Sequence, residues 1–191
     1  MKWVTRECLK IQPVPRYIKP GKVISLAVLI LSGSFSFCFG QNGKNDSSAK
    51  SIILFVCEHG AARSPIATAY FNKMAKERGL NYTAIFRGIN PDTSLSVNTK
   101  KGLTEDGFDI KNWQPKLVTR HDINSASEVI TLDCNLILKD SPARPVYQWN
   151  GTPPISESYQ AARNDIANKV AILIKELELK SQQRKIIAKF Q

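Results

Sequence analysis

The fold of this chain is decided by residues 51–65, which read SIILFVCEHGAARSP. Ser51–Val56 is a continuous apolar and β-branched run, which is typical of a strand buried on both faces of a parallel sheet. A short loop containing Gly60 follows this run. Ser64 and Pro65 then predict the start of a helix, with Ser64 as its cap and Pro65 in its first turn.

The chain beyond this stretch alternates between the patterns of strands and helices. The first helix is expected to close at Gly79, and a second is expected over Ser96–Asp106, ended by Gly107. Further strands are predicted at Tyr82–Arg87, Glu128–Leu132 and Pro145–Trp149, and residues 135–145 are predicted to form an irregular loop. The last helix begins near Ser158, with an apolar stripe formed by Tyr159, Ala162, Ile166, Val170, Leu173 and Leu177. This alternation predicts an α/β domain built on a parallel sheet.

The loop between the first strand and the first helix is suited to binding a tetrahedral anion. A strand that stops before a helix start directs several backbone N–H groups, and the positive end of the helix dipole, into one concavity. Arg63 can add a planar fork to two oxygens. The same field would favour the thiolate of Cys57, a nucleophile to which Ser64 can donate a hydrogen bond. The alternative is a structural Cys57 at a strand end, with Arg63 in a surface ion pair.

The first forty residues have the features of a targeting segment. Six Lys or Arg residues and one Glu precede or flank the apolar run Val23–Leu31, and small or apolar residues continue to Gly40. This order predicts a secretory signal cleaved just before Gln41, so we expect an exported protein, periplasmic or secreted. An uncleaved membrane anchor over residues 23–40 is the alternative. Residues 41–50 are expected to be a linker, residues 51–180 the domain and residues 181–191 a basic tail.

The remaining bulk properties fit one globular domain. The 191 residues are 42% apolar and 23% charged, with a net charge of +11. No zinc pattern or basic patch interleaved with aromatic residues supports nucleic-acid binding. Of the four cysteines, Cys8 and Cys38 lie in the leader, which leaves Cys57 and Cys134 in the domain. Two cysteines are too few for a disulfide framework, so one is expected to serve chemistry or both to form a redox pair.

The segment VCEHGAARSPIATAYFNKMAKERGL, residues 56–80, resembles the active-site strand, loop and first helix of the low-molecular-weight tyrosine phosphatase superfamily, which includes thioredoxin-coupled arsenate reductases. The resemblance continues through GLTEDGFDI, PKLVT, EVITL and the final helix. It implies a four-stranded parallel sheet with helices on both faces. It also implies that Cys57 attacks the substrate to form a thiophosphate or thioarsenate. The oxyanion would be held by Arg63 and by the backbone amides of Glu58, His59, Gly60, Ala61, Ala62 and Arg63.

Two departures from these relatives bear on the activity. The phosphatases carry an Asp-Pro general acid before the last helix, whereas residues 149–156 read WNGTPPIS, and Asn150 cannot supply a proton. Asp140 and Glu157 are the candidate substitutes. The arsenate reductases need two further cysteines, but this chain has only Cys134 and carries Ser141 where a Cys-Pro would be expected. Cys134 should reach the same sheet edge as Cys57 and attack it; a buried structural thiol is the alternative.

Two residues inside the loop are ambiguous. His59 is a candidate for proton transfer, although a nest built from backbone amides should leave its side chain pointing away. Glu58 would repel an anionic substrate if it pointed inward, so we expect it to face solvent or to pair with Lys or Arg.

The sequence therefore predicts hydrolysis of phosphomonoesters, with phosphotyrosine as a candidate substrate, through a phosphocysteine on Cys57. Arsenate reduction by Cys57 and Cys134 with an external thiol is the second hypothesis, and a non-catalytic oxyanion-binding module is the third. The expected partner is a phosphorylated small molecule or protein, with a thioredoxin-like reductant in the second case. Neither a cofactor nor a metal nor nucleic acid is expected, and membrane contact is expected only through the N-terminal segment.

Overall fold

Four strands and four helices form the part of the chain that the computed structural model describes, residues 49–136 and 146–190. The strands are β1 (Ser51–Cys57), β2 (Tyr82–Gly88), β3 (Ala126–Leu132) and β4 (Val146–Trp149). The helices are α1 (Arg63–Glu77), α2 (Val97–Glu105), α3 (Arg120–Ser125) and α4 (Tyr159–Ile187). The predicted leader, most of the predicted linker, Pro145 and Gln191 lie outside these residues.

The strands pair in the order β2-β1-β3-β4, and every pair is parallel. Val56 of β1 is in register with Arg87 of β2 and with Thr131 of β3. The carboxyl ends of the three strands therefore meet at one edge of the sheet, where open α/β sheets place their sites.

Side chains of β1 alternate between two apolar clusters, one on each face of the sheet. Ile53, Phe55 and Cys57 join a cluster that includes residues of α1, α2 and α4. Leu54 and Val56 join a second cluster, which contains Ile123 of α3. The predicted α/β fold, a four-stranded parallel sheet with helices on both faces, is confirmed.

Most predicted elements begin and end within two residues of the observed ones. Helix α3 was not predicted, although Thr119 and Asp122 form a capping box at its start. The prediction of Ser64 as a helix cap was wrong, because the N-cap of α1 is Ala62 and no side chain caps this helix. Helix α4 continues to Ile187, well into the segment predicted as a separate basic tail. Within residues 49–136 and 146–190, no helix combines the length and the apolar character that crossing a bilayer requires.

Candidate active site

The loop between β1 and α1 rests on the carboxyl end of β2. Gly60 has φ +60, a left-handed conformation, and a Cβ at this position would lie 2.8 Å from the backbone nitrogen of Gly88. A Cβ at Gly88 would in turn lie 2.8 Å from the backbone nitrogen of Gly60. Both positions therefore require glycine, since neither backbone can withdraw without opening the loop.

The carbonyl groups of this loop are turned away from its concave side. Those of Cys57, Glu58, His59 and Ala61 accept hydrogen bonds from backbone N–H groups of the segment 89–96, at 2.8–3.2 Å. None of the N–H groups of Glu58–Arg63 donates a hydrogen bond to a residue of the described part of the chain. A row of unpaired N–H groups at the start of a helix is an anion-binding nest.

Cys57 and Ser64 lie at the base of this nest. The Sγ atom of Cys57 is 3.0 Å from the Oγ atom of Ser64, and both residues are buried. The Ser64 hydroxyl is also placed to donate to the carbonyl of Arg87, at 3.3 Å. A hydroxyl has one proton to donate, so a thiolate on Cys57 would compete with the Arg87 carbonyl for it.

Arg63, the first residue of α1, forms an ion pair with Asp133, which directly follows β3. Its Nε atom is 3.2 Å from Oδ2 of Asp133. Nε is nevertheless buried without a hydrogen bond of acceptable geometry, so the contact is electrostatic. Arg63 keeps 29% of its side chain exposed, which leaves the guanidinium accessible to a ligand.

Asp133 also holds the loop that precedes α4. Its Oδ1 accepts from the N–H of Gly151 at 2.7 Å and its Oδ2 from that of Thr152 at 3.3 Å. Lys169 of α4 holds the same loop by donating to the carbonyl of Asn150 at 3.0 Å. Sequence reasoning did not identify Asp133; the only signal was an acidic residue directly after a buried strand.

The two ambiguous loop residues face outward. His59 is 61% exposed, and its Nδ1 lies 3.2 Å from the carbonyl oxygen of Asn90 and 3.6 Å from the carboxylate of Asp92. Glu58 accepts a hydrogen bond from the side-chain amide of Asn90 at 2.6 Å. Glu58 thus pairs with an amide and not with Lys or Arg, and neither side chain enters the nest.

Cys134 lies one residue beyond Asp133, close to the end of β1. Its Sγ is 3.5 Å from the carbonyl oxygen of Val56, the residue before Cys57. Burial, and then the negative charge of Cys57, raise the pKa of the Cys134 thiol to about 11. Both cysteines are free thiols. Cys134 therefore lies at the same edge of the sheet as Cys57, and its raised pKa favours the protonated thiol at neutral pH.

A cleft of about 380 Å³ opens beside the nest. It is bounded by the start of α1, the start of α2 and residues 154–156. None of the described residues that line this cleft is a carboxylate. Glu157 instead borders a different cleft, together with Lys101 and Glu105 of α2, and Asp140 lies outside the described residues. Across residues 49–136 and 146–190, no three His, Cys, Asp or Glu residues cluster closely enough to bind a metal ion.

Known proteins resemble this chain in both sequence and fold. A family model for low molecular weight phosphotyrosine protein phosphatase matches residues 52–143. A protein of Halobacterium salinarum, named as a proposed arsenate reductase, is 26% identical over 127 residues, which are 64% of this chain and 89% of that protein.

Two solved structures extend the comparison. The thioredoxin-dependent arsenate reductase of Corynebacterium glutamicum superimposes with a TM-score of 0.59 at 26% identity, over 70% of this chain. The superposition spans only 65% of that enzyme's length. The arginine phosphatase of Geobacillus stearothermophilus superimposes with a TM-score of 0.53 at 19% identity, over 70% of this chain and 96% of that one, which is a likeness of fold alone.

Proposed function

Because the chain belongs to the superfamily of low-molecular-weight tyrosine phosphatases and arsenate reductases, we propose that it is a cysteine-dependent phosphatase that hydrolyses phosphomonoesters. The observation that carries this proposal is the nest of unpaired N–H groups around the buried pair of Cys57 and Ser64. Unpaired amide groups beside a nucleophile suit an oxyanion whose charge rises during the reaction.

In the first step, the Cys57 thiolate attacks phosphorus and the bond from phosphorus to the ester oxygen breaks. The amides of Glu58–Arg63 hold the equatorial oxygens, and the Arg63 guanidinium adds a fork of two N–H donors. The leaving oxygen departs with the bonding electrons and takes a proton from solvent or from an acid. In the second step, water attacks the phosphocysteine, inorganic phosphate leaves, and Ser64 donates a hydrogen bond to the returning thiolate.

The described residues place no acid in the cleft beside the nest, which favours particular substrates. No carboxylate of the described residues lines the cleft, and the loop before α4 lines it only with Pro154, Ile155 and Ser156. Aryl phosphates have leaving groups that need little protonation, so they fit this site better than alkyl phosphates. Phosphotyrosine is an aryl phosphate, and we propose it as the protein-borne form of the substrate.

Arsenate reduction is the second candidate, and the position of Cys134 favours it. In that reaction the Cys57 thiolate attacks arsenic(V) and hydroxide leaves as water. The Cys134 thiolate then attacks Cys57 Sγ, the disulfide forms, and the electrons of the sulfur–arsenic bond pass to arsenic, which leaves as arsenite. An external dithiol of the thioredoxin type reduces the disulfide.

Two assays on the purified full-length chain test these proposals. The first measures phosphate release from p-nitrophenyl phosphate, and the second measures arsenite formation from arsenate with a thioredoxin system. Cys134→Ser is the matched variant, because it removes the second thiol and leaves the nest intact. A phosphatase should release phosphate at the same rate with and without Cys134.

The remaining outcomes assign the other functions. Arsenite formation that disappears in Cys134→Ser, without phosphate release, would replace the phosphatase with a reductase. Phosphate binding without either activity would mean that the chain is an oxyanion-binding module.

A further inference from the structure

Asp133 occupies a point between three parts of the candidate site. It directly follows β3, its carboxylate contacts Arg63 at the start of α1, and it accepts N–H groups from Gly151 and Thr152. Its own N–H donates to the carbonyl of Trp149 at the end of β4, at 3.0 Å. No other residue of the described chain joins the oxyanion loop to the loop before α4 through one side chain.

The backbone of Asp133 is in an unusual conformation. Its φ is +49, and it is the only non-glycine residue with positive φ among residues 49–136 and 146–190. This left-handed conformation is unfavourable for most side chains, and Asp and Asn tolerate it best. Such conformations persist where surrounding contacts hold them and are concentrated at functional sites.

We propose that Asp133 is a positioning residue that orients the guanidinium of Arg63 toward the bound oxyanion, an inference that rests on the function proposed above. The ion pair uses Nε of Arg63, which is the nitrogen on the side of the guanidinium away from the two terminal N–H groups. With the Asp133 carboxylate attracting the Nε side of the guanidinium, both Nη groups are left to form the planar fork that binds two oxygens of a phosphate. The amides of Gly151 and Thr152 fix the carboxylate in turn, so that it does not rotate away from Arg63.

The same contacts argue against Asp133 as the missing general acid. Its three described side-chain neighbours, Arg63, Gly151 and Thr152, all bring N–H groups to the carboxylate. Both carboxylate oxygens therefore face donors of the protein, and Asp133 is not among the residues that line the cleft beside the nest. Asp133 therefore acts on the substrate through Arg63.

The test compares Asp133→Asn with Lys169→Gln in the full-length chain. Asn keeps the shape of the side chain and tolerates the positive φ, but it removes the negative charge beside Arg63. Lys169→Gln is the matched control, since Lys169 anchors the same loop through the Asn150 carbonyl and does not touch Arg63. Each variant is titrated with inorganic phosphate and assayed for kcat/KM on aryl and alkyl phosphates.

We expect Asp133→Asn to weaken phosphate binding by about tenfold, the lower end of what loss of a charged partner produces. The value of kcat/KM should fall by the same factor for aryl and alkyl esters. Lys169→Gln should change neither value by more than about twofold, as an anchor outside the oxyanion site. In an Arg63→Lys background, Asp133→Asn should have almost no further effect, because two residues that act through one contact are not additive.

Three results would overturn the inference. A loss that is larger for alkyl than for aryl esters would make Asp133 the acid. An equal loss in the Arg63→Lys background would mean that Asp133 acts independently of Arg63, and an equal loss in Lys169→Gln would mean that it only anchors the loop. Phosphate binding tests the inference even if the chain proves not to be a phosphatase, so the two proposals fail separately.

Discussion

The loop of residues 57–64 and the loop of residues 150–157 flank the same candidate site but differ in the functional groups that they present to it. The first contains a buried nucleophile, an unpaired row of amides and an Arg, and its carbonyls are tied to segment 89–96. The second contains no carboxylate that faces the nest, and it is held in place from outside by Asp133 and Lys169. The groups suited to oxyanion binding therefore lie on one element, and the second element presents no acid to the cleft that they border.

The largest effect should come from the nucleophile in the first loop. Cys57→Ser should reduce turnover by about 10⁴-fold or more, because the chemical step depends on this one sulfur. Phosphate affinity should stay within about threefold of the wild type, since the nest consists of backbone amides and Arg63. Steady-state rates with p-nitrophenyl phosphate and calorimetric titration with phosphate measure the two quantities. Substantial residual turnover would exclude Cys57 as the nucleophile.

The second loop is tested by varying the leaving group. Without a positioned acid, the rate should depend steeply on leaving-group pKa, with aryl phosphates favoured over alkyl phosphates by an extra factor of about 10²–10⁴. A series of substituted phenyl and alkyl phosphates measures this slope. A shallow slope that steepens in Asp140→Asn or Glu157→Gln would identify that residue as the acid. A slope that stays shallow in both variants would make His59 the next candidate for the acid.

The shape of the oxyanion fork in the first loop is tested by Arg63→Lys. Lys keeps the charge but cannot present two parallel N–H groups, so kcat/KM should fall by about 10²-fold. The affinity of phosphate, measured as a competitive inhibitor, should also fall in the same variant. Unchanged inhibition would place the Arg63 side chain away from the ligand.

The smallest effect should come from the support beneath the first loop, where Arg87 of β2 pairs with Asp122 of α3 at 2.8 Å. Burial tends to raise the pKa of Asp122, but hydrogen bonds from Arg87 and Thr119 outweigh it and leave that pKa lowered. A carboxyl whose pKa is lowered in the folded state stabilises the fold at pH values above its ordinary pKa, which is near 4. This contribution to stability is lost as the pH falls below that value.

Asp122→Asn should therefore lower the free energy of unfolding by about 1–3 kcal/mol at neutral pH, and by progressively less below about pH 4. Urea denaturation across pH measures this difference. Asp109→Asn, at an exposed residue, is the control and should follow the wild-type pH dependence. A constant difference at every pH would mean that the Asp122 charge does not contribute.

The fold was predictable from sequence because its signals are local. The continuous, β-branched apolar run before Cys57 indicates a buried strand, the spaced apolar stripe of α4 indicates a helix, and the order of elements then gives the parallel sheet. Helix α3 was missed because its six residues are too short for a periodic stripe. Its signal was the pair of Thr119 and Asp122 three residues apart, a capping pattern with a carboxylate at its third position.

The candidate site was predictable only where one stretch of sequence contains it. Cys57, Arg63 and Ser64 lie within eight residues, and their spacing predicts the nest. Gly88 and the segment 89–96 complete the nest through contacts between residues distant in the chain, which no local pattern records. Ser64 was misassigned as a cap because a serine before a proline has the same local pattern whether its hydroxyl meets a helix end or a sulfur 3.0 Å away.

If the chain is a cysteine-dependent phosphatase, Cys57 becomes covalently phosphorylated during turnover. The most direct measurement is rapid acid quenching of the full-length chain during turnover of p-nitrophenyl phosphate, followed by peptide mass spectrometry. We predict one phosphoryl group on the peptide that contains Cys57, located on its sulfur, with Cys134 unmodified and no phosphoryl group in Cys57→Ser. Phosphate release without phosphorylation of Cys57, or phosphorylation of another residue, would contradict the account.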